Sequence, residues 1–211
     1  MADNSYKTVL KEANDEFIEK RSRFIGYCKP VSTEEEALEF INKIKTKHWD
    51  ARHNVYAYCL REGQIKRYSD DGEPQGTAGV PVLDVLVKSN LTDLVVVVTR
   101  YFGGVLLGAG GLVRAYSHSA KIATEASSIV TMQQCAVCTL TCDYNQYGKV
   151  SSLIPQCGGF VDNSDFGSEV EMSFHIAPVN LEMLKKSLAD ATCGEVEPVE
   201  EFMEFFATDC D

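Results

Sequence analysis

Leu94-Val95-Val96-Val97-Val98-Thr99-Arg100-Tyr101-Phe102-Gly103-Gly104-Val105-Leu106-Leu107-Gly108-Ala109-Gly110-Gly111-Leu112-Val113-Arg114-Ala115-Tyr116 is the stretch on which the fold turns. Leu94 to Phe102 reads as a continuous apolar strand, buried on both faces. Leu112 to Ala126 reads as a helix rich in small residues. Five glycines lie between the two. Glycine lets backbone N–H groups turn toward a ligand, and a helix N-terminus favours anions, so Gly103, Gly104, Gly110 and Gly111 are candidate anion contacts. Arg100 and Arg114 flank the loop, and Arg114, His118 and Lys121 recur at i, i+4 and i+7 as one basic stripe. The spacing is neither that of a Walker A loop nor that of a GxGxxG dinucleotide fingerprint. The glycines also permit close packing of helix on strand, which the small face Ala115, Ser119 and Ala123 supports. Both readings can hold together.

Upstream lies a second shaped loop, Tyr68-Ser69-Asp70-Asp71-Gly72-Glu73-Pro74-Gln75-Gly76-Thr77-Ala78-Gly79. Asp70, Asp71 and Glu73 can hold Mg²⁺, and Thr77 can cap a helix or meet an anion. Equally, the carboxylates can cap backbone N–H groups in a structural turn. The loop leads into a short helix, Gly79 to Lys88, with Pro81 in its first turn, where a missing N–H does little harm. Earlier still, residues 6–12 and 16–31 read as strands, the second carrying Arg21 and Arg23. Ser32 to Lys47 is a helix: Ser32 with Glu35 and Thr33 with Glu36 fit capping boxes, and Ala37, Ile41 and Ile44 form its apolar stripe. Asn54 to Leu60 and Ile65 to Tyr68 form a hairpin around Glu62-Gly63. Between helix and hairpin, Lys47 to His53 mixes cations and rings around Trp49, the only tryptophan. Trp49 can offer a stacking platform to nucleic acid, but a core tryptophan beside solvated charges is the commoner case. His48 and His53 can act as acid–base groups, yet no Ser or Cys nucleophile pattern accompanies them, so no catalytic residue is assigned.

Downstream the pattern is cleaner. Strand Ala136 to Cys142, helix Asn145 to Gln156, hairpin strands Gly159 to Asp165 and Glu169 to Ile176, helix Leu181 to Ala191 and strand Val196 to Phe206 follow in turn. The order βαββαβ is ferredoxin-like. Charge divides the chain near the same place. Residues 1–132 hold 17 cations and 17 carboxylates, whereas residues 133–211 hold three lysines against 14 carboxylates, which accounts for the whole net charge of −11. Two domains are expected, 1–132 and 133–211, with the boundary at residues 130–134.

Eight cysteines without an export signal do not imply disulfides. Cys135-x-x-Cys138 with Cys142 resembles part of a zinc knuckle, but period-2 alternation puts Ala136, Cys138, Leu140 and Cys142 on one strand face. No second CxxC or HxxxH completes a ligand set, so buried strand cysteines are expected and no metal or cofactor is assigned. No apolar run suits a membrane span and MADNSYK has no signal-peptide pattern, so a cytoplasmic protein is expected.

Asp70-Asp71-Gly72-Glu73-Pro74 with Gly76-Thr77-Ala78-Gly79, and Arg100-Tyr101-Phe102-Gly103-Gly104 with Leu107-Gly108, together resemble the YigZ/IMPACT family. Arg23-Phe24-Ile25 and His53-Asn54 look like further family positions, and the resemblance covers about residues 15–130 plus a C-terminal domain of the bacterial YigZ type. It implies an α+β chain: an α/β domain like the second domain of ribosomal protein S-five, then the ferredoxin-like domain. That pair is similar to the last two domains of elongation factor G. The resemblance also implies a role in translation regulation, and with the charge division it leads to a first expectation: a non-enzymatic regulator that binds RNA or the ribosome. The neutral N-terminal domain would bind through Arg21, Arg23, Arg52, His53, Arg67, Arg100, Arg114 and His118, its cations gathered on one face. Two alternatives stand: a nucleotide-binding enzyme using the glycine-rich and acidic loops, and a protein-interaction module whose acidic domain meets a basic partner.

Overall fold

The computed structural model describes residues 5–208; Cys210 lies outside them. It begins with strands β1 (Ser5–Val9), β2 (Ala13–Glu19) and β3 (Ser22–Pro30). The expected single strand over 16–31 is therefore a hairpin. Lys20 and Arg21 take φ of 45° and 66° and reverse the chain between β2 and β3. Two central residues of positive φ match the twist of the flanking strands, but neither is the Gly, Asn or Asp that would mark such a turn in a sequence.

Helix α1 (Glu34–Lys47) starts as its sequence dictates: Thr33 Oγ1 accepts the Glu36 N–H at 3.2 Å, and the Glu36 carboxylate accepts the Ser32 N–H at 2.6 Å. Strand β4 (His53–Cys59), a single 3-10 turn and strand β5 (Lys66–Ser69) follow, then helix α2 (Gly79–Lys88), strand β6 (Leu94–Tyr101) and helix α3 (Ala109–Ala126). Helix α3 begins three residues earlier than Leu112, so Gly110 and Gly111 belong to its first turn rather than to the loop. The sheet order is β2-β3-β6-β4-β5, antiparallel throughout. Strand β6 is central, which explains its unbroken apolar run: Leu94, Val96 and Val98 pack with α2 and α3, while Val95 and Val97 pack with α1 on the other face. Helix α3 lies so close to β3 that a Cβ on Gly26 would stand 2.5 Å from the Ser119 carbonyl oxygen.

Trp49 is not in the core but 84% exposed. The buried stripe of α1, Phe40, Ile41 and Ile44, continues one turn further to His48, leaving Trp49 on the outside. His48 is held between the Tyr27 hydroxyl (2.7 Å) and the Tyr101 hydroxyl (2.9 Å), and Tyr101 donates to Asp50. Burial, then the charge of Lys47, holds the His48 imidazole below its ordinary pKa.

Residues 132–208 form the second of two compact units, the first being Tyr6–Thr131. Strand β7 (Ile129–Cys142) runs into it, followed by α4 (Tyr144–Gln156), β8 (Gly159–Phe166), β9 (Val170–Ile176), α5 (Pro178–Thr192) and β10 (Val199–Thr208). Strands β10-β7-β9-β8 lie in the ferredoxin-like order, and β1 pairs with β7 as the fifth strand of the same sheet. Ala136, Cys138, Leu140 and Cys142 of β7 pack with Met172, Phe174 and Ile176 of β9 beneath α4 and α5. Burial pushes the Cys138 thiol up to about 11. Among the described residues no group of three or more His, Cys, Asp or Glu is placed to hold a metal ion, and no helix is long and apolar enough to cross a membrane.

Candidate functional site

A cleft of about 350 Å³ opens where the acidic loop after β5, the end of β6 and the start of α3 meet. Arg52, His53, Glu73, Arg100, Phe102 and Leu107 line it. Arg100 stands opposite Phe24 in the β3–β6 register, on the α3 side of the sheet, and is only 5% exposed. It is therefore not the free surface cation expected. Its Nη1 donates to Glu73 Oε1 at 2.6 Å, and its guanidinium lies 5.4 Å from the Phe24 ring and 5.5 Å from the Phe102 ring. The Tyr116 hydroxyl donates to the same Glu73 oxygen at 2.8 Å, and His53 Nε2 stands 3.9 Å from it. Burial, reinforced by the Glu73 charge, holds the Tyr116 phenol far above its ordinary range. Arg100 Nε faces no hydrogen-bond partner among the described residues. A buried guanidinium with a donor to spare at a cleft wall is an unusual expenditure of desolvation energy.

The acidic loop is what holds Glu73 there. The Asp70 carboxylate accepts N–H groups from Gly76 (2.8 Å), Ala78 (3.1 Å) and Gly79 (2.8 Å), pinning the loop to the start of α2. Asp71 accepts the Asn54 N–H at 2.7 Å and pairs with Lys45 at 2.8 Å. Its carbonyl accepts a hydrogen bond from His53 Nδ1–H at 2.9 Å, which leaves Nε2 facing Glu73. Thr77 Oγ1 donates to the Pro74 carbonyl at 2.6 Å. The carboxylates of Asp70, Asp71 and Glu73 thus face N–H, ammonium and guanidinium donors. The expected Mg²⁺ set of these three with Thr77 is not assembled.

On the opposite wall the glycine-rich loop is fixed at Gly103, whose N–H donates to Ser22 Oγ at 3.2 Å. A Cβ there would lie 2.0 Å from the Arg21 carbonyl carbon, so only glycine fits. Gly108 is the N-cap of α3, with no side-chain cap and no acidic residue in the first turn. The first-turn N–H groups carry the positive end of the helix dipole.

Two further clefts adjoin. One, of about 250 Å³, is lined by Phe17, Lys20, Leu107, Gly111, Arg114 and His118. The other, of about 370 Å³, is lined by Val85, Lys88, Ser117, His118, Lys121 and Glu125. Leu107 borders the first cleft and the second, and His118 borders the second and the third. The three therefore follow one another along α3. The remaining cations do not gather with them. Arg23 and Arg67 project to the α1 side of the sheet, Arg23 paired with Glu16 at 2.6 Å and Arg67 standing 4.0 Å from Glu34. Arg21 sits at the hairpin turn. The single basic face expected of Arg21, Arg23, Arg52, Arg67, Arg100 and Arg114 is thus split between two sides of a sheet. Sequence reasoning missed Lys20, Lys88, Phe102 and Tyr116; only Phe102, an aromatic at the end of a buried strand beside Gly-Gly, carried a signal.

This arrangement has relatives. Over 193 residues the chain is 38% identical to the IMPACT family member YvyE of Bacillus subtilis, covering 91% of this chain and 89% of that protein. The chain belongs to the IMPACT family. It is also 34% identical over 181 residues to the family member YigZ of Escherichia coli, covering 84% of this chain and 89% of that one. A crystal structure of a hypothetical protein matches 96% of this chain and 99% of its own, with a TM-score of 0.59 and 31% identity. The Impact N-terminal domain matches residues 20–124, and a domain of unknown function, DUF1949, matches residues 140–195. Nearly all residues lining the three clefts fall within the IMPACT N-terminal match, the exceptions being Phe17 and Glu19 at one end and Glu125 and Ile129 at the other.

Proposed function

We propose that this IMPACT family chain is a non-enzymatic, translation-associated regulator that binds RNA, free or in the ribosome, through the clefts along α3. The observation that carries the reading is their continuity: the helix start and Arg52 at one end, Lys20 and Arg114 next, then His118, Lys121 and Lys88. Arg114, His118 and Lys121 succeed one another at helical steps of about 6 and 4.5 Å, so one phosphate backbone can follow them. Lys121 and Lys88 do pair with Glu125 and Asp84, but such exposed i,i+4 pairs are weak and yield to phosphate. Phe102, 43% exposed at the mouth of the first cleft, offers a ring for a base. No nucleophile–base pair lines the clefts, which supports binding over turnover.

The test is the affinity for a short single-stranded RNA measured between about 50 and 200 mM salt. Affinity should fall steeply with salt, and Arg114→Ala and Lys121→Ala should each weaken it for every sequence. Absence of binding at low salt refutes the reading. A second reading, a free nucleotide with its phosphates on the first turn of α3, draws on the spare Arg100 Nε. Calorimetry with ATP and GTP plus Mg²⁺ distinguishes it, since the RNA reading expects no heat of specific binding there.

A further inference from the structure

We propose that the outer face of the C-terminal sheet is a docking surface for an arginine-rich segment of another protein. Helices α4 and α5 cover only one face of this sheet. The other face is ordered in rows. Strand register places Phe160, His175 and Val137 side by side, then Asn163, Ser173 and Thr139, then Asp165, Glu171 and Thr141. The Thr139 hydroxyl donates to the Glu201 carboxylate at 2.9 Å, which extends the second row to β10. In the first row the His175 ring stacks on Phe206 at 3.7 Å and on Phe160 at 5.5 Å, while its Nδ1 meets Asp162 at 2.8 Å. Phe160 remains 66% exposed.

Charge names the occupant. None of the four strands β7 to β10 carries a lysine or arginine. The three lysines of the region are on the helices: Lys149 donates to the Ala191 carbonyl, Lys185 pairs with Glu182, and Lys186 follows it on α5. These four strands thus offer rings and carboxylates with no lysine or arginine of their own; the sheet's one Lys is Lys7, on β1 beside β7. A guanidinium satisfies both, lying flat on a ring while its N–H fork meets a carboxylate; an ammonium does only the second well. The rows recur every two residues, about 7 Å, which is also the same-side repeat of an extended partner chain. Nucleic acid has the stacking groups but the wrong charge for this face.

The experiment uses the full chain and a synthetic peptide with arginine at alternate positions, together with its lysine counterpart. The arginine peptide should bind more tightly than the lysine one and shift the amide resonances of Phe160, Ser173, His175 and Thr139. The pair Glu171→Gln and Glu201→Gln should weaken binding roughly tenfold, whereas Glu182→Gln with Asp190→Asn, an equal change of charge on α5, should alter it less than about twofold. Phe160→Ala should remove the preference for arginine. Equal losses in the two charge variants, equal affinity for the two peptides, shifts confined to α4 and α5, or displacement of the peptide by single-stranded RNA from these same residues would each overturn the proposal.

Discussion

Along α3 the most deeply placed cation, Arg100, is buried against Glu73, and the remaining positive character comes from a helix start and a few exposed side chains. On the open sheet of the C-terminal unit the carboxylates are many and exposed, with no lysine or arginine on strands β7 to β10. Residues 1–132, of zero net charge, therefore carry a surface suited to anions, while residues 133–211, which hold the whole net charge of −11, carry one suited to cations. Net charge reports the second surface and hides the first. The two also respond differently to solvent: exposed charges are screened by salt, whereas a desolvated pair is not, so the first region is bound to fold stability in a way the second is not.

The sharpest way to break that contrast is Glu73→Ala. It strands Arg100 and removes the acceptor of Tyr116, and should cost about 3–5 kcal/mol in urea denaturation of the full chain. The double change Glu171→Gln and Glu201→Gln should cost less than about 1 kcal/mol by the same measurement. Similar values for the two would dissolve the distinction. Gly103→Ala comes next, at about 1–3 kcal/mol, because the Arg21 backbone must move to admit a methyl group.

Alkaline titration follows in size. The buried Cys28 thiol is pushed from 9.0 up to about 12, and Tyr116 is shifted in the same direction. The native state keeps protons that the unfolded chain releases, so the stability they confer is full below pH 9 and falls as pH rises past it. Cys28 should contribute a progressive loss of stability between pH 9 and about 12, absent in Cys28→Ala. Resolved resonances from each unit should show the N-terminal one weakening more steeply than the C-terminal one, where Cys138 reaches only about 11. The smallest effect is Arg114→Ala, which should leave stability within about 0.5 kcal/mol while lowering the salt slope of RNA binding by about 1.

The regular elements were legible wherever one pattern dominated. The α1 cap, Pro81 at the head of α2, and the alternation of Cys138, Leu140 and Cys142 all read directly from spacing. Turns that used ordinary residues at unusual angles did not, as Lys20 and Arg21 show. Trp49 was misplaced because residue type was weighed above position: four residues after Ile44 comes His48, and that is the buried one. At the site, the two shaped loops stood out, but their joining did not. Glu73 meets partners 27 and 43 residues away, and Arg100 lay within a run whose alternation already set it inside the sheet. Long-range pairing of a single acid with a single base leaves no local trace.

The contact of Gly103 with the Arg21 backbone has a consequence for how this chain can vary. A hairpin tip is ordinarily where a sheet protein tolerates insertions best. Here the tip between β2 and β3 is the backing on which the loop beside the cleft is cast, across 82 positions of sequence. Lengthening it by even one residue would move that wall, so the permissive and the constrained ends of the N-terminal sheet are reversed.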